Sequence, residues 1–412
     1  MKITRIDCHV LLAPHVDVGA TSSAQDDIIV EIHTDEGLSG IGETDVNPWI
    51  ARACIEAPGT HTMGQGLSAM LLGEDPLDVE RLWEKLYVGS AMNGRRGALI
   101  NALGALDIAL HDLRGKWLGK PCYALLGAGA GASVGAGNGV HPQPSITPYA
   151  SLQPEPEAPG IDAYEEALVA AATLARRRGF RAAKLEATFS GPYRHQGLDA
   201  PYGRVTEMIA AVRAAVGPDF TLMVDLQYAF PDADTCLATI RDWRDFNLFF
   251  IETPLPSDDL DGYARLAAEQ PIPIAAGEWL ATRHEFRELM DRGRVAVAQP
   301  DMGRVGGLTE ARRVTALARE RGVRIVPHAW KTGITIAAAA HLAVVTPHCP
   351  YIEFLPAELS ASALRRNLVR ETFRFEDGRL YLPDTPGLGI ELDRDALRAY
   401  SVDQPDRLPT YV

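Results

Sequence analysis

Three short apolar runs near the middle of the chain each end in one acidic residue. They are residues 221–225 ending at Asp225, residues 248–252 ending at Glu252, and residues 273–278 ending at Glu278. The steps between them are 27 and 26 residues. That is close to the length of one strand, one helix and two loops, since a βαβ unit takes ~30 residues. A carboxylate at the end of an apolar strand is costly to bury alone. Three of them in equivalent places imply a shared counter-charge, and an all-oxygen donor set suits a hard divalent cation.

The period extends both ways. Downstream, strand-like runs end at Asp301, His328 and Glu353, at steps of 23, 27 and 25 residues. Upstream, residues 180–186 carry Lys184 and Glu186, and the 41 residues from Lys184 to Asp225 leave room for an inserted loop over Thr188 to Tyr202. Seven runs with ionisable ends at one period read as a parallel (β/α) barrel, whose active site lies at the C-terminal ends of the strands. Structural ion pairs at a barrel rim would explain single residues, but not the common period. His328 can titrate near neutral pH, and Asp301 one unit earlier would fix its tautomer and raise its basicity.

Around this core the chain changes character. Residues 3–12, 27–33 and 39–43 read as an antiparallel meander, with Asp35-Glu36-Gly37 as a turn. Pro14 to Gln25 reads as a surface loop. Helical periodicity follows at Asp78–Tyr87 and at Arg96–Trp117, the second with one apolar stripe from Leu99 to Leu113. The Gly- and Ala-rich residues 125–139 read as a linker that passes into the first barrel strand, because no apolar strand precedes them and no helix follows, as a dinucleotide fingerprint requires. Residues 140–160, with six prolines, read as irregular. Helices are expected at 163–178, 202–216, 232–246, 258–269, 282–292, 308–321 and 334–345. A hairpin is expected around Asp377-Gly378. The expected organisation is an α+β cap over 1–130, a barrel over 131–358, and a segment over 359–412 that returns to the cap.

Composition narrows the partners. The net charge of −14 comes without a basic cluster beyond Arg176-Arg177-Arg178, which argues against nucleic acid. No run is long enough for a membrane span. Five scattered cysteines, Cys8, Cys54, Cys122, Cys236 and Cys349, have neither metal nor redox spacing, so a reducing cytoplasm is expected.

Together these residues resemble the enolase superfamily, and within it the mandelate racemase-like group. The resemblance rests on residues 105–113 in the cap, on Asp225, on Glu252 in Glu-Thr-Pro, on Glu278 in Ala-Gly-Glu, on Gln299-Pro300-Asp301, and on residues 327–333 around His328. It implies a modified (β/α)7β barrel, a TIM-barrel variant, with an α+β cap formed by the N-terminal region and the C-terminal tail. It implies Mg2+ bound by Asp225, Glu252 and Glu278, an Asp301–His328 dyad, and Glu353 bonding the substrate carboxylate. Lys184 matches the first lysine of the group's Lys-x-Lys motif, while Glu186 stands where the second lysine belongs. A direct proton-transfer role for Glu186 and simple pairing with Lys184 both stay open. A homo-oligomer is expected.

The implied activity is Mg2+-dependent abstraction of an α-proton from a carboxylate substrate, through an enediolate. A single His328 could take that proton and return it to a departing β-hydroxyl, which makes acid-sugar dehydration the first expectation. Cycloisomerisation of a sugar lactone or anhydro acid comes second, and racemisation or epimerisation third. A barrel that keeps the metal site without catalysis is the alternative of a different class. Lys331 reads equally as a residue that reaches the substrate and as a solvated loop lysine, Tyr193 and His195 as pocket-lining or solvated residues of the inserted loop, and Trp279 and Trp330 as pocket wall or barrel packing. His284, His341 and His348 read as helix or surface residues.

Overall fold

The computed structural model describes residues 1–17, 23–127, 143–154, 159–195, 197–403 and 410–411. The chain begins with an antiparallel sheet of β1 (Ile3–Leu12), β2 (Asp26–Thr34) and β3 (Ser39–Thr44), in that order. Helices Pro48–Glu56, Val79–Ser90 and Ala98–Leu118 complete this cap. The last of them was expected to bury one stripe, yet it is buried nearly all round, Asn101, Asp107, His111 and Asp112 included. It lies between the cap sheet and the barrel helix Gly307–Glu320, so both of its faces are covered. Gly40 and Gly42 of β3 permit this, because a Cβ at either would run into the helix backbone at Ala109 or Ala105.

Eight parallel strands form the barrel: β4 (Pro148–Leu152), β5 (Ala182–Glu186), β6 (Thr221–Asp225), β7 (Leu248–Glu252), β8 (Ile274–Ala276), β9 (Val297–Ala298), β10 (Arg324–Ile325) and β11 (Ile352–Phe354). They pair in sequence from β4 to β10, and β11 closes back on β4. The remaining seam, β10 to β11, carries a backbone hydrogen bond from Glu353 N to Pro327 O at 3.4 Å. A first barrel strand was expected after the Gly-rich linker, but its place was not, since the six prolines made residues 140–160 read as irregular, and β4 lies within them. Its proline, Pro148, occupies the first strand position, where a missing N–H is tolerated. The expected helix 232–246 divides into an α-helix, Ala233–Ile240, and a 3-10 turn, Trp243–Phe246. Most of the Gly-rich stretch, from residue 128 to 142, and residues 18–22 of the first loop lie outside the described residues.

Inside the barrel, Tyr149, Ala182, Met223, Phe250, Ala275, Val297 and Val326 make one buried layer. Their neighbours, such as Ala183, Leu222 and Ile251, belong to the larger core between sheet and helices. With side chains alternating along each strand, residues two positions past this layer also point inward. They are Ser151, Lys184, Asp225, Glu252, Gln299 and His328.

The cap is fastened to the C-terminal face of the barrel. Glu43 accepts hydrogen bonds from Thr335 N and Thr332 Oγ1, each 2.6 Å, at the start of helix Gly333–Ala343. Asp107 accepts from Thr309 N (2.9 Å) and Thr309 Oγ1 (2.6 Å) at the start of helix Gly307–Glu320. Helix N-termini carry unpaired N–H groups and favour anions, so two cap carboxylates are drawn to the end of the barrel where the strands finish. The C-terminal segment touches both parts. Its hairpin, residues 374–381, adds to Ser145–Ile146, while Arg394 holds cap residue Glu31 with two bonds of 2.6 and 2.8 Å. Asp377 and Gly378 both have positive φ, as the hairpin turn requires.

Candidate active site

Lys184 and Glu186 point into the barrel from β5, and Lys184 is 3% exposed. The Lys184 ammonium lies 2.9 Å from Glu252 Oε1, 2.9 Å from Glu353 Oε1 and 3.2 Å from Asp225 Oδ2. Burial works against that charge, but Glu252, Glu353 and Asp225 outweigh it and hold the ammonium well above its ordinary pKa. Glu353 also accepts from Ser151 Oγ and Ala329 N, each at 2.7 Å. Burial opposes its charge too, yet Lys184 and His328 keep its carboxyl well below the usual range. Glu252 goes the other way: burial raises it, Lys184 only partly offsets this, and Asp225 and Glu353 push it further up.

Across the cavity, His328 Nδ1 lies 2.7 Å from Asp301 Oδ2, and Asp301 Oδ1 accepts from Gly303 N at 2.7 Å. His328 Nε2 is 3.0 Å from Glu278 Oε2. Burial disfavours the imidazolium, but Glu353, Glu278 and Asp301 together raise its pKa well above that of an ordinary histidine. Glu278 reaches the cavity one position out of the strand alternation. Gly277 has φ +124° and turns the backbone there, and a Cβ on it would strike the Phe286 ring.

The structure thus gathers the proposed metal ligands Asp225, Glu252 and Glu278 with Lys184, Glu186, Asp301, His328 and Glu353. Lys184, Glu186, Asp225, Glu278 and His328 line a cavity of about 130 Å³. Trp279 and Trp330 are part of its wall, and Trp279 stacks on Tyr228 with 4.1 Å between ring centroids. Lys331 does not line this cavity and is not solvated: it is buried and paired with Asp26 of the cap at 3.1 Å. His341 is a helix residue but a buried one, bonded to Tyr123 N and Leu388 O. Trp49, in the cap helix Pro48–Glu56, is exposed and does not line this cavity.

Sequence reasoning missed several partners. Arg304, three residues past Asp301, bonds Asp45 of the cap at 2.8 Å and lies 3.6 Å from Glu278 Oε2. Gln299 donates to Glu252 at 2.7 Å, and Thr253 donates to Asp225 at 2.9 Å. The spacing pattern marked the strand ends only. Asp45 stands one residue past the cap strand β3 and Arg304 in the loop after β9, and neither follows an apolar run directly.

Among the described residues no three acidic or imidazole groups converge as a ready-made metal set. Lys184 bridges Asp225 and Glu252, and Glu278 is turned to His328 and Arg304. The donor chemistry nevertheless fits a divalent cation. Seven carboxylates (Asp45, Glu186, Asp225, Glu252, Glu278, Asp301, Glu353) stand against two fixed cations, Lys184 and Arg304, and two imidazoles, His195 and His328. With every carboxylate ionised and both imidazoles protonated, 7 − 4 leaves three negative charges, which buried groups relieve by binding protons, the direction in which Glu252 is pushed, or by taking an added counter-charge.

A capped barrel with carboxylates on three successive strand ends and an Asp–His pair beyond them defines a class of metal-assisted enzymes that act next to a carboxylate. Residues 1–127 match the mandelate racemase/muconate lactonizing enzyme N-terminal domain, and residues 167–396 match the enolase C-terminal domain-like model. The chain belongs to the enolase superfamily, in its mandelate racemase/muconate lactonizing enzyme-like branch, and this membership implies a divalent metal. It is 32% identical to the D-galactarolactone cycloisomerase of Agrobacterium fabrum, over 98% of this chain and 100% of that one. It is 30% identical to the L-talarate/galactarate dehydratase of Salmonella typhimurium, over 90% of this chain and 81% of that one. The structure of the 3,6-anhydro-D-galactonate cycloisomerase from Zobellia galactanivorans superimposes with a TM-score of 0.79 at 31% identity, covering 97% and 99% of the two chains. No helix among the described residues is long and apolar enough to cross a membrane, and all five cysteines are free.

Proposed function

We propose that this protein is a Mg2+-dependent lyase that removes the α-proton of an acid sugar and expels its β-hydroxyl. The product is a 2-keto-3-deoxy acid, by net dehydration. The supporting observation is the 2.7 Å His328–Asp301 pair, which faces Lys184 across a cavity floored by Asp225 and Glu278. Mg2+ held by Asp225, Glu252 and Glu278 would neutralise charge that develops on the substrate carboxylate as the proton leaves. His328 Nε2 takes the α-proton, while Asp301 keeps the other ring nitrogen protonated and the ring in place. Glu278 engages Nε2 in the structure described, so commitment of Glu278 to the cation leaves Nε2 free to act as a base. Lys184 holds the substrate carboxylate by charge. Glu353, ionised and already accepting from Ser151, Ala329 N and Lys184, serves as an acceptor: it fixes Lys184 and suits a substrate hydroxyl rather than an oxyanion.

A second reading is cycloisomerisation, in which the expelled oxygen belongs to a ring and stays in the molecule. Full-length similarity to the Agrobacterium and Zobellia cycloisomerases favours it. Incubation with a panel of aldonates, aldarates, their lactones and anhydro acids, followed by mass spectrometry, separates the two. Dehydration removes the mass of one water, and cycloisomerisation leaves the mass unchanged. If no member of the panel is converted, and none exchanges its α-proton in D2O with Mg2+ present, the reading is wrong and a non-catalytic barrel takes its place.

A further inference from the structure

The reaction as derived uses one side of the cavity. On the other side lies a pair of groups it leaves without a task. Glu186 ends β5, and its Oε1 lies 2.9 Å from Nε2 of His195, which comes from the loop between β5 and helix Gly203–Val216. The His195 ring stacks on Tyr164 with 5.9 Å between centroids, and the Tyr164 hydroxyl donates to the Glu186 backbone oxygen at 3.1 Å. Gln153 Nε2 stands 3.4 Å from the same imidazole nitrogen. Glu186 is 5% exposed, and the His195 side chain is 14% exposed. This loop histidine is therefore held from three sides rather than solvated.

The position of the pair matters more than its burial. Glu186 lines the inner cavity of about 130 Å³, and His195 lines a neighbouring outer cavity of about 820 Å³, which Pro14, His15, Asp17, Ala24 and Gln25 of the first cap loop also line. Gln153 and Trp330 border both cavities, so the Glu186–His195 bond crosses the wall between them. Around the barrel, β5 and β10 are three strand steps apart the short way, through β4 and β11. In a ring of eight the maximum is four. The ligand-bearing strands β6, β7 and β8 lie between them the long way. A substrate held over those strands has His328 at one side and Glu186 at the other.

We propose that Glu186 and His195 form the second acid–base group of this enzyme, protonating the departing oxygen from the side opposite His328, so that elimination runs anti. The assignment rests on the reaction class proposed above. His328 Nε2 takes the α-proton, and the C–H electron pair passes into the substrate carboxylate to give the enediolate. The bond from the β-carbon to its oxygen then breaks. Its electron pair stays with that oxygen, which takes the proton of the Glu186 carboxyl. Glu186 recovers a proton from His195, and the imidazole recovers its own from water in the outer cavity, while His328 gives up the α-proton; the enol formed gains a proton at its β-carbon and loses one from its hydroxyl to become the 2-keto acid. No other reactant is needed. Charged groups facing the pair are Lys184 and Asp225 on the inner side, and His15 and Asp17 across the outer cavity. Glu186 is the catalytic residue of the two, and His195 acts through it.

The test compares Glu186→Gln and His195→Asn with the wild type, each loaded with Mg2+, on the substrate found with the panel. α-Proton exchange in D2O and product formation are followed in parallel across pH. Expected is exchange within a few-fold of the wild type in both variants. Product formation should fall about 10²–10³-fold in Glu186→Gln, as loss of a general acid does, and less in His195→Asn. Glu186→Asp should recover part of the rate, and the alkaline limb of the wild-type pH profile, where a general acid is lost by deprotonation, should disappear in Glu186→Gln. Folded variants with unchanged product rates and pH profile overturn the assignment, and so does a parallel loss of exchange and product. A wild type that neither exchanges nor converts any member of the panel removes the reaction class, and this assignment with it.

Discussion

Replacing Asp301 with asparagine changes one oxygen into an amide nitrogen and keeps the shape. In the structure Oδ2 holds His328 Nδ1 at 2.7 Å, while Oδ1 accepts from Gly303 N at 2.7 Å. Both places require an acceptor, and asparagine has only one. If its oxygen faces His328, the amide N–H groups face the Gly303 N–H, and a buried donor loses its partner at about 1–3 kcal/mol. If its oxygen faces Gly303, the amide donates to Nδ1, which must then carry a lone pair. The proton moves to Nε2, and His328 can no longer accept one from substrate. The first arrangement is disfavoured by the orphaned Gly303 N–H and the second holds His328 in the tautomer that cannot act as a base, so kcat should fall about 10²–10⁴-fold, or roughly 3–5 kcal/mol at 1.36 kcal/mol per decade. The assay is product formation and α-proton exchange in D2O, on holoenzyme with saturating Mg2+. Both rates should drop together, with cation affinity nearly unchanged, because Asp301 is not among the proposed ligands. Exchange within about threefold of the wild type, far short of the loss that a missing base causes, would refute the role of the Asp301–His328 pair.

Other expectations follow from the same geometry. Asp225→Asn, Glu252→Gln and Glu278→Gln should each weaken Mg2+ binding in calorimetric titration and abolish turnover, and three variants with wild-type affinity would remove the metal site. Arg304→Ala leaves Asp45 and Glu278 without their buried cation, so unfolding should become easier by about 3–5 kcal/mol, read from denaturant midpoints, with Arg304→Lys in between. Arg394→Ala should cost about 1–3 kcal/mol by releasing the tail from Glu31. Burial opposes the Glu31 charge, but His9 and Arg394 lower its pKa to about 2. A lowered pKa stabilises the fold at and above the ordinary carboxylate range and is lost as pH falls toward 2. The stability gap between wild type and Arg394→Ala should therefore narrow over that interval, and a constant gap would show that Glu31 is not the partner that matters. Grafting a different loop over residues 14–25 should change which acid sugar is preferred without altering Mg2+ affinity, as a lid over the outer cavity would.

Much of the site was legible in sequence because of strand geometry. Side chains alternate along a strand and successive βα units repeat at one length, so polar residues at equal intervals behind apolar runs marked the strand ends that share a cavity. Asp225, Glu252, Glu278, Asp301, His328 and Glu353 were found in this way, and the cap meander and the Asp377-Gly378 hairpin followed from equally local patterns. What depended on distant contacts was not legible. Strand β4 was hidden because proline content is read locally, whereas a proline at a strand's first position is harmless once its neighbours are in place. The long cap helix carried one apolar stripe in sequence, but the barrel covers its other face. Lys331 looked like a loop lysine until the cap brought Asp26 to it. Nothing local distinguished His195 from a solvated loop residue, or set Arg304 between Asp45 and Glu278, since each of those pairs joins segments that only the closed barrel and its cap bring together. The sequence by itself determined which groups could do the chemistry. Tertiary structure decided their pairing, because a buried charge settles with whichever opposite charge the packing leaves within reach.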